Sequence, residues 1–140
     1  MLIPVQQLYP ARLNPSEERT TVVETNLPVA PLLRPRIFFR NASEDYTVRV
    51  TITHVLELGF TDDPLVTGTY ETIIMQEDLA PGELLCHVFM TAALQQGAMT
   101  YHQFTLENLS PVGEVIFHTW IEGEFEETLK NVPTFEPIVI

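Results

Sequence analysis

Between residues 46 and 58 apolar and polar side chains alternate. Tyr46, Val48, Val50, Ile52, His54, Leu56 and Leu58 fall on one face of an extended chain. Thr47, Arg49, Thr51, Thr53 and Glu57 fall on the other, with Val55 the one apolar residue out of step. A period of two, carried by β-branched and aromatic residues, is the pattern of a half-buried strand. Shorter runs of strand character occupy 37–40, 69–76, 84–91, 99–109 and 114–125. The run 84–91 is apolar on both faces and reads as a buried strand. In 114–125, Val115, Phe117 and Ile121 stand opposite Ile116, His118 and Trp120. No stretch carries three turns of amphipathic helix; at most Ala92 to Gln96 makes one helical turn, stopped by Gly97.

Polar turns separate these runs. Asn41-Ala42-Ser43-Glu44-Asp45, Asp78-Leu79-Ala80-Pro81-Gly82-Glu83 and Ser110-Pro111-Val112-Gly113 are the clearest. Pro81 then Gly82 fits the centre of a type II turn, where glycine supplies positive φ. Strands with turn signals about every ten residues predict an all-β fold, an antiparallel β-sandwich of immunoglobulin-like or jelly-roll plan. The sandwich is expected over 36–128, with a C-terminal tail over 129–140.

Residues 1–35 differ in kind. They hold six of the eleven prolines, which remove backbone donors and keep the chain extended. Apolar residues lie between the prolines, so the segment is too apolar to be left in water. It is expected to be an extended Pro-rich N-terminal arm. Within it Asn14-Pro15-Ser16-Glu17 is suited to start a helical turn, and 20–25 a short edge strand. The arm's contacts are expected from Leu2, Ile3, Val5, Leu8, Tyr9, Leu13, Leu32 and Leu33. Arg12, Arg19, Arg34 and Arg36 are expected to pair with the acidic body of a neighbouring subunit.

Charge sharpens that expectation. The net charge is −12. Residues 1–49 hold six arginines against five acids, whereas 50–129 hold thirteen acids and no Lys or Arg. An acidic body repels phosphate backbones, which argues against nucleic-acid binding. No window of 18 apolar residues offers a membrane span. The first ten residues lack the basic start and the long apolar run of a signal peptide, so the expected place of synthesis and use is the cytoplasm. Asn41 and Asn108 sit in glycosylation triplets, read as chance without a secretion signal.

Candidate chemistry is sparse. His54, His87, His102 and His118 lie on expected strands but lack the close spacing of a metal site. Cys86 has no cation near it in sequence and reads as a buried structural thiol. Glu122, Glu124, Glu126 and Glu127, and Asp62-Asp63, are acidic runs without the calcium-loop pattern. No nucleophile elbow or phosphate loop occurs. No cofactor is expected. Trp120 reads as core; Trp120, Tyr70 and Tyr101 are the candidates for an aromatic ligand platform.

The runs Phe38-Phe39-Arg40-Asn41, Tyr46-Thr47-Val48-Arg49-Val50-Thr51 and Asp78-Leu79-Ala80-Pro81-Gly82-Glu83 resemble the immunoglobulin-like modules common in bacterial and phage proteins. The plan of arm plus sandwich is similar to that of phage head decoration (cement) proteins. The resemblance implies a non-enzymatic structural protein of a virion, assembled in the host cytoplasm, whose partners are other protein subunits. A homo-oligomer or a place in a large assembly is then expected. Two other readings are a small cupin-like metalloenzyme using the histidines and a ligand-binding sandwich module.

Overall fold

The computed structural model describes residues 2–9, 11–23, 33–58, 68–89 and 98–126. Every regular element among them is a β-strand: β1 (Leu2–Leu8), β2 (Ala11–Leu13), β3 (Glu18–Val23), β4 (Leu33–Asn41), β5 (Val48–Leu58), β6 (Gly68–Leu79), β7 (Leu84–Val88), β8 (Ala98–Asn108) and β9 (Val115–Glu126). They form two antiparallel sheets. The first runs β1-β9-β4-β7, with β2 continuing along β9 beyond β1, and the second runs β3-β8-β5-β6.

The pairings show how the chain rolls up. β1 and β2 lie on β9, β3 on β8, β4 on β7 and β5 on β6, as in one long folded hairpin. Two further pairings, β9 with β4 and β8 with β5, close the roll into two sheets. Of the two sandwich plans, this order is that of the jelly roll. Leu13, Ile37, Phe39, Val115, Phe117 and Ile121 of the first sheet meet Val48, Val50, Ile52, Phe104 and Leu106 of the second in the core. Phe104 joins the layers edge-on, 5.5 Å from the Phe39 ring and 5.8 Å from Tyr9.

In its described residues the leader is extended, as its prolines require, and is paired within its own chain. β1 and β2 form an edge of the first sheet, with the Tyr9 N–H on the Thr119 carbonyl between them. β3 forms an edge of the second. An edge strand hydrogen-bonds on one side only, so Pro4 is tolerated there. Pro35 lies inside the central strand β4, where the pairing with β9 shifts between Leu33 and Arg36 and Arg34 has a φ of 51°. The boundary expected at 35/36 therefore falls within a strand. Leu32, the run 92–96 and the tail 129–140 lie outside the described residues.

Two kinds of corner hold one end of the sandwich. Asn14-Pro15-Ser16-Glu17 is a tight turn rather than a helical one, with Ser16 at φ 60°. It matches Ala80-Pro81-Gly82-Glu83, with Gly82 at φ 82°. In each, the glutamate carboxylate accepts the N–H of the first residue, at 2.9 and 3.2 Å.

Asn41 and Asn108 make the second kind. Both are buried, so neither is open to glycosylation in the folded protein. Each Oδ1 accepts the N–H of the serine two residues on, and each amide donates to backbone carbonyls of other segments. Asn41 reaches those of Tyr46 and Leu79; Asn108 reaches those of Asn14 and Gly113. The two halves of the chain thus repeat one device: Asn-x-Ser closes a strand, and a buried valine, Val48 or Val115, opens the next at the same spacing. A Cβ at Gly113 would overlap the Tyr46 ring, so any side chain at that corner would have to displace it.

Candidate functional site

The alternation of β4 and β9 decides what the first sheet shows to solvent. On β4, Pro35, Ile37, Phe39 and Asn41 are buried, so Arg34, Arg36, Phe38 and Arg40 point outward. On β9, Val115, Phe117, Thr119, Ile121 and Gly123 are buried, which turns Ile116, His118, Trp120, Glu122 and Glu124 outward. Register aligns four outward residues in a row across the sheet: Leu8 on β1, Trp120 on β9, Phe38 on β4 and Cys86 on β7. Leu8 is 70% exposed, and Leu84 and Val88, flanking Cys86 on the edge strand, are 58% and 61% exposed. Trp120 and Phe38 stack with ring centroids 5.1 Å apart and planes 9° apart.

That stack bears on the sequence expectations. Trp120 is half-buried on an outer face rather than in the core. Each ring spends one face on the other, so the pair is no flat platform for a sugar ring. Of the other two candidates, Tyr70 is exposed on β6, and Tyr101 donates a 2.9 Å hydrogen bond to Glu57. That bond raises the Tyr101 pKa. Cys86 is exposed rather than buried, and β7 is an edge strand of alternating exposure, not a buried one.

Charges border the row. Arg36 lies 3.8 Å from Glu122 and Arg34 lies 3.5 Å from Glu124. Glu122 also accepts the Trp120 indole N–H and the Gln6 amide, both at 3.2 Å. Arg34, Arg36, Val88, Gly123 and Glu124 line a shallow cleft of about 410 Å³ beside the apolar row. Arg40, exposed on the opposite side of the row, has no acidic partner among the described residues.

The other residues expected in arm contacts divide. Leu13 is fully buried in its own subunit, and Val5 and Tyr9 pack against the core. Ile3 and Leu33 are half-buried, and Leu2 is exposed. Arg12 pairs with Glu114 at 3.0 Å and Arg19 with Glu17 at 2.6 Å, both in the same chain. Of the acidic runs, Asp62-Asp63 and Glu127 lie outside the described residues.

Three of the four histidines, His54, His87 and His102, form a second grouping, inside the sandwich. His54 and His102 face each other across β5 and β8, with ring centroids 5.1 Å apart. Phe89 lies 4.6 Å from His102 and 5.3 Å from His87. Burial, and then repulsion from His54 and His87, push the His102 pKa down to about 4; burial also lowers that of His87. Sequence spacing concealed this grouping because it depends on register. Among the described residues no three His, Cys, Asp or Glu side chains are placed to hold a metal ion. No helix among them is long and apolar enough to cross a membrane. Comparison with known proteins finds no matching family model, no matching curated protein and no matching solved structure.

Proposed function

We propose that this chain is a structural subunit, without catalytic function, that works by assembling with other protein subunits. The proposed setting is an accessory component of a virion or comparable multi-subunit particle. The single observation that carries this reading is the outward-facing row Leu8–Trp120–Phe38–Cys86, with exposed Leu84 and Val88 beside it. Apolar surface that is contiguous, aligned and rimmed by charge marks an interaction face. The jelly-roll plan occurs in capsid proteins, lectins and enzymes alike, so fold supports the reading only by analogy. β6 also exposes Tyr70, Ile73 and Ile74. Its pairing with β5 is interrupted at Ile74, and such a bulge blunts an edge against pairing.

The assembly surface in this reading is the face of the first sheet, to which the leader contributes Leu2 and Leu8, rather than a detached arm. Fractionation of a native extract on a sucrose gradient tests it. The wild-type chain should sediment with a large particle, and Trp120→Lys should shift it to the slow, free fractions. A wild-type chain found only in the free fractions sinks the assembly reading.

A further inference from the structure

The outer face of the first sheet is self-complementary, and we infer that it docks a second copy of this chain about a twofold axis. This deepens the assembly reading and rests on it. The two central strands carry opposite charge. Outward from β4 the charged residues are Arg34, Arg36 and Arg40; outward from β9 they are Glu122 and Glu124, with His118 further along. Place a twofold axis in the interface, parallel to the strands and midway between β4 and β9. Each β4 then lies on the β9 of the other copy. Arg34 and Arg36 meet Glu124 and Glu122 of the second copy, and Phe38 meets its Trp120. Each carboxylate already beside one arginine gains another, and the cleft beside the row is closed over.

The alternative axis, in the interface but running across the strands, stacks each strand on itself. It sets Arg40 over Arg36 of the second copy, cation on cation, which costs free energy once water is excluded. A self-complementary patch with opposite charges in adjacent columns is what an isologous contact needs. The net charge of −12 repels copies at long range. The arginines of β4 reverse that repulsion locally, which orients the encounter on this face.

The two axes differ at the sheet edges, where Cys86 is the chain's one cysteine. The axis along the strands brings Leu8 over Cys86 of the second copy, across the roughly 10 Å that separates packed sheets. Within one subunit the two positions are three strand spacings apart, about 14 Å. The test is sedimentation equilibrium of the full chain, followed by treatment with a short bis-maleimide. The expected result is a dimer that Trp120→Lys weakens at least tenfold with far-UV circular dichroism unchanged. Leu8→Cys is expected to become covalently dimeric with the reagent, while the wild type stays uncrosslinked.

Crosslinking of the wild type through Cys86 alone overturns the axis. A wild type that is monomeric at every concentration overturns the twofold contact. In that case sedimentation with a large particle in the native extract still separates its failure from failure of the assembly reading.

Discussion

Two rows of side chains cross this sandwich in register, one on each outer face, and their chemistry is opposite. On the second sheet Thr20, Thr105, Thr51 and Gln76 stand side by side. The Thr20 and Thr105 hydroxyls lie 2.8 Å apart, and the Gln76 amide donates to Thr51 at 3.0 Å. In the next row Arg49 bridges Asp78 at 2.8 Å and Glu107 at 3.9 Å. The Asp78 carboxyl is held below its usual range by that arginine. On the first sheet the corresponding row is Leu8, Trp120, Phe38 and Cys86. In these two rows the second face satisfies its polar groups internally. The other leaves apolar area in water, which is favourable to cover. The same strand geometry thus supports a solvent face and a contact face, and only the outward residues distinguish them.

Making the first row resemble the second should have the largest effect. Phe38→Thr with Trp120→Thr removes the stacked pair from an outer face and leaves the buried residues of β4 and β9 untouched. Association should weaken by at least about thirtyfold, the 2 kcal/mol of a binding hot spot. Sedimentation velocity would read it, with thermal melts to show that the subunit still folds. Unchanged association would erase the functional contrast between the faces.

Much of this contrast was legible in the sequence and some was not. The alternation in 114–125, and that in 46–58 as far as Ile52, separated the two faces of β9 and β5, because there each strand keeps a period of two against one core. Beyond Ile52 it fails, with Thr53 and Val55 buried and His54 and Leu56 half-buried. The run 84–91 misled because apolar residues on both faces suggest burial. In β7 one set faces the core and the other, Leu84 and Val88, faces outward on the contact face. The leader misled for a related reason: its prolines suggested an arm detached from the body, but β1 needs its donors on one side only. The paired corners at Asn41 and Asn108 were visible as Asn-x-Ser followed by valine at equal spacing. The same triplet is also the glycosylation signal, so its form alone does not mark it as a corner. Which residues share a row depends on register, and no local pattern encodes it.

Acid should loosen both faces together, since His54, His87 and His102 lie between the sheets. His102 has a folded pKa of about 4 against an ordinary 6.5. The unfolded chain therefore binds the proton first as pH falls. Stability is full above 6.5, declines between 6.5 and 4, and loses nothing further from this residue below that. The slope is at most about 1.4 kcal/mol per pH unit, and smaller where solvent screens the half-buried ring. Urea melts across this range should show the decline, and His102→Gln should flatten it. A decline that persists in His102→Gln would move the effect to other groups.

Transplanting the apolar pair is the reverse experiment. Thr51→Phe with Thr105→Trp puts an aromatic pair on β5 and β8, in register as Phe38 and Trp120 are on β4 and β9. Self-association through the second face should rise about tenfold, or 1.4 kcal/mol. If the double variant associates no more than the wild type, apolar area alone does not make a contact face, and the charge columns of β4 and β9 carry more of the affinity.

The smallest effect concerns two neighbours on β9. Thr119 points inward and is 2% exposed, and its hydroxyl has no hydrogen-bond partner among the described residues. Trp120, the next residue, points outward and is half-exposed. By burial preference alone the two are inverted: the hydroxyl is inside and the large apolar ring outside. An unpartnered buried hydroxyl has lost water without replacement, so removing it at constant shape should stabilise the fold. Thr119→Val should raise stability by up to about 1 kcal/mol and leave association unchanged, because the outward surface is not altered. A chemical melt and a sedimentation run on the same variant would separate the two quantities. Lower stability would mean that the hydroxyl has a partner, and weaker association would mean that the inner and outer faces of β9 are coupled.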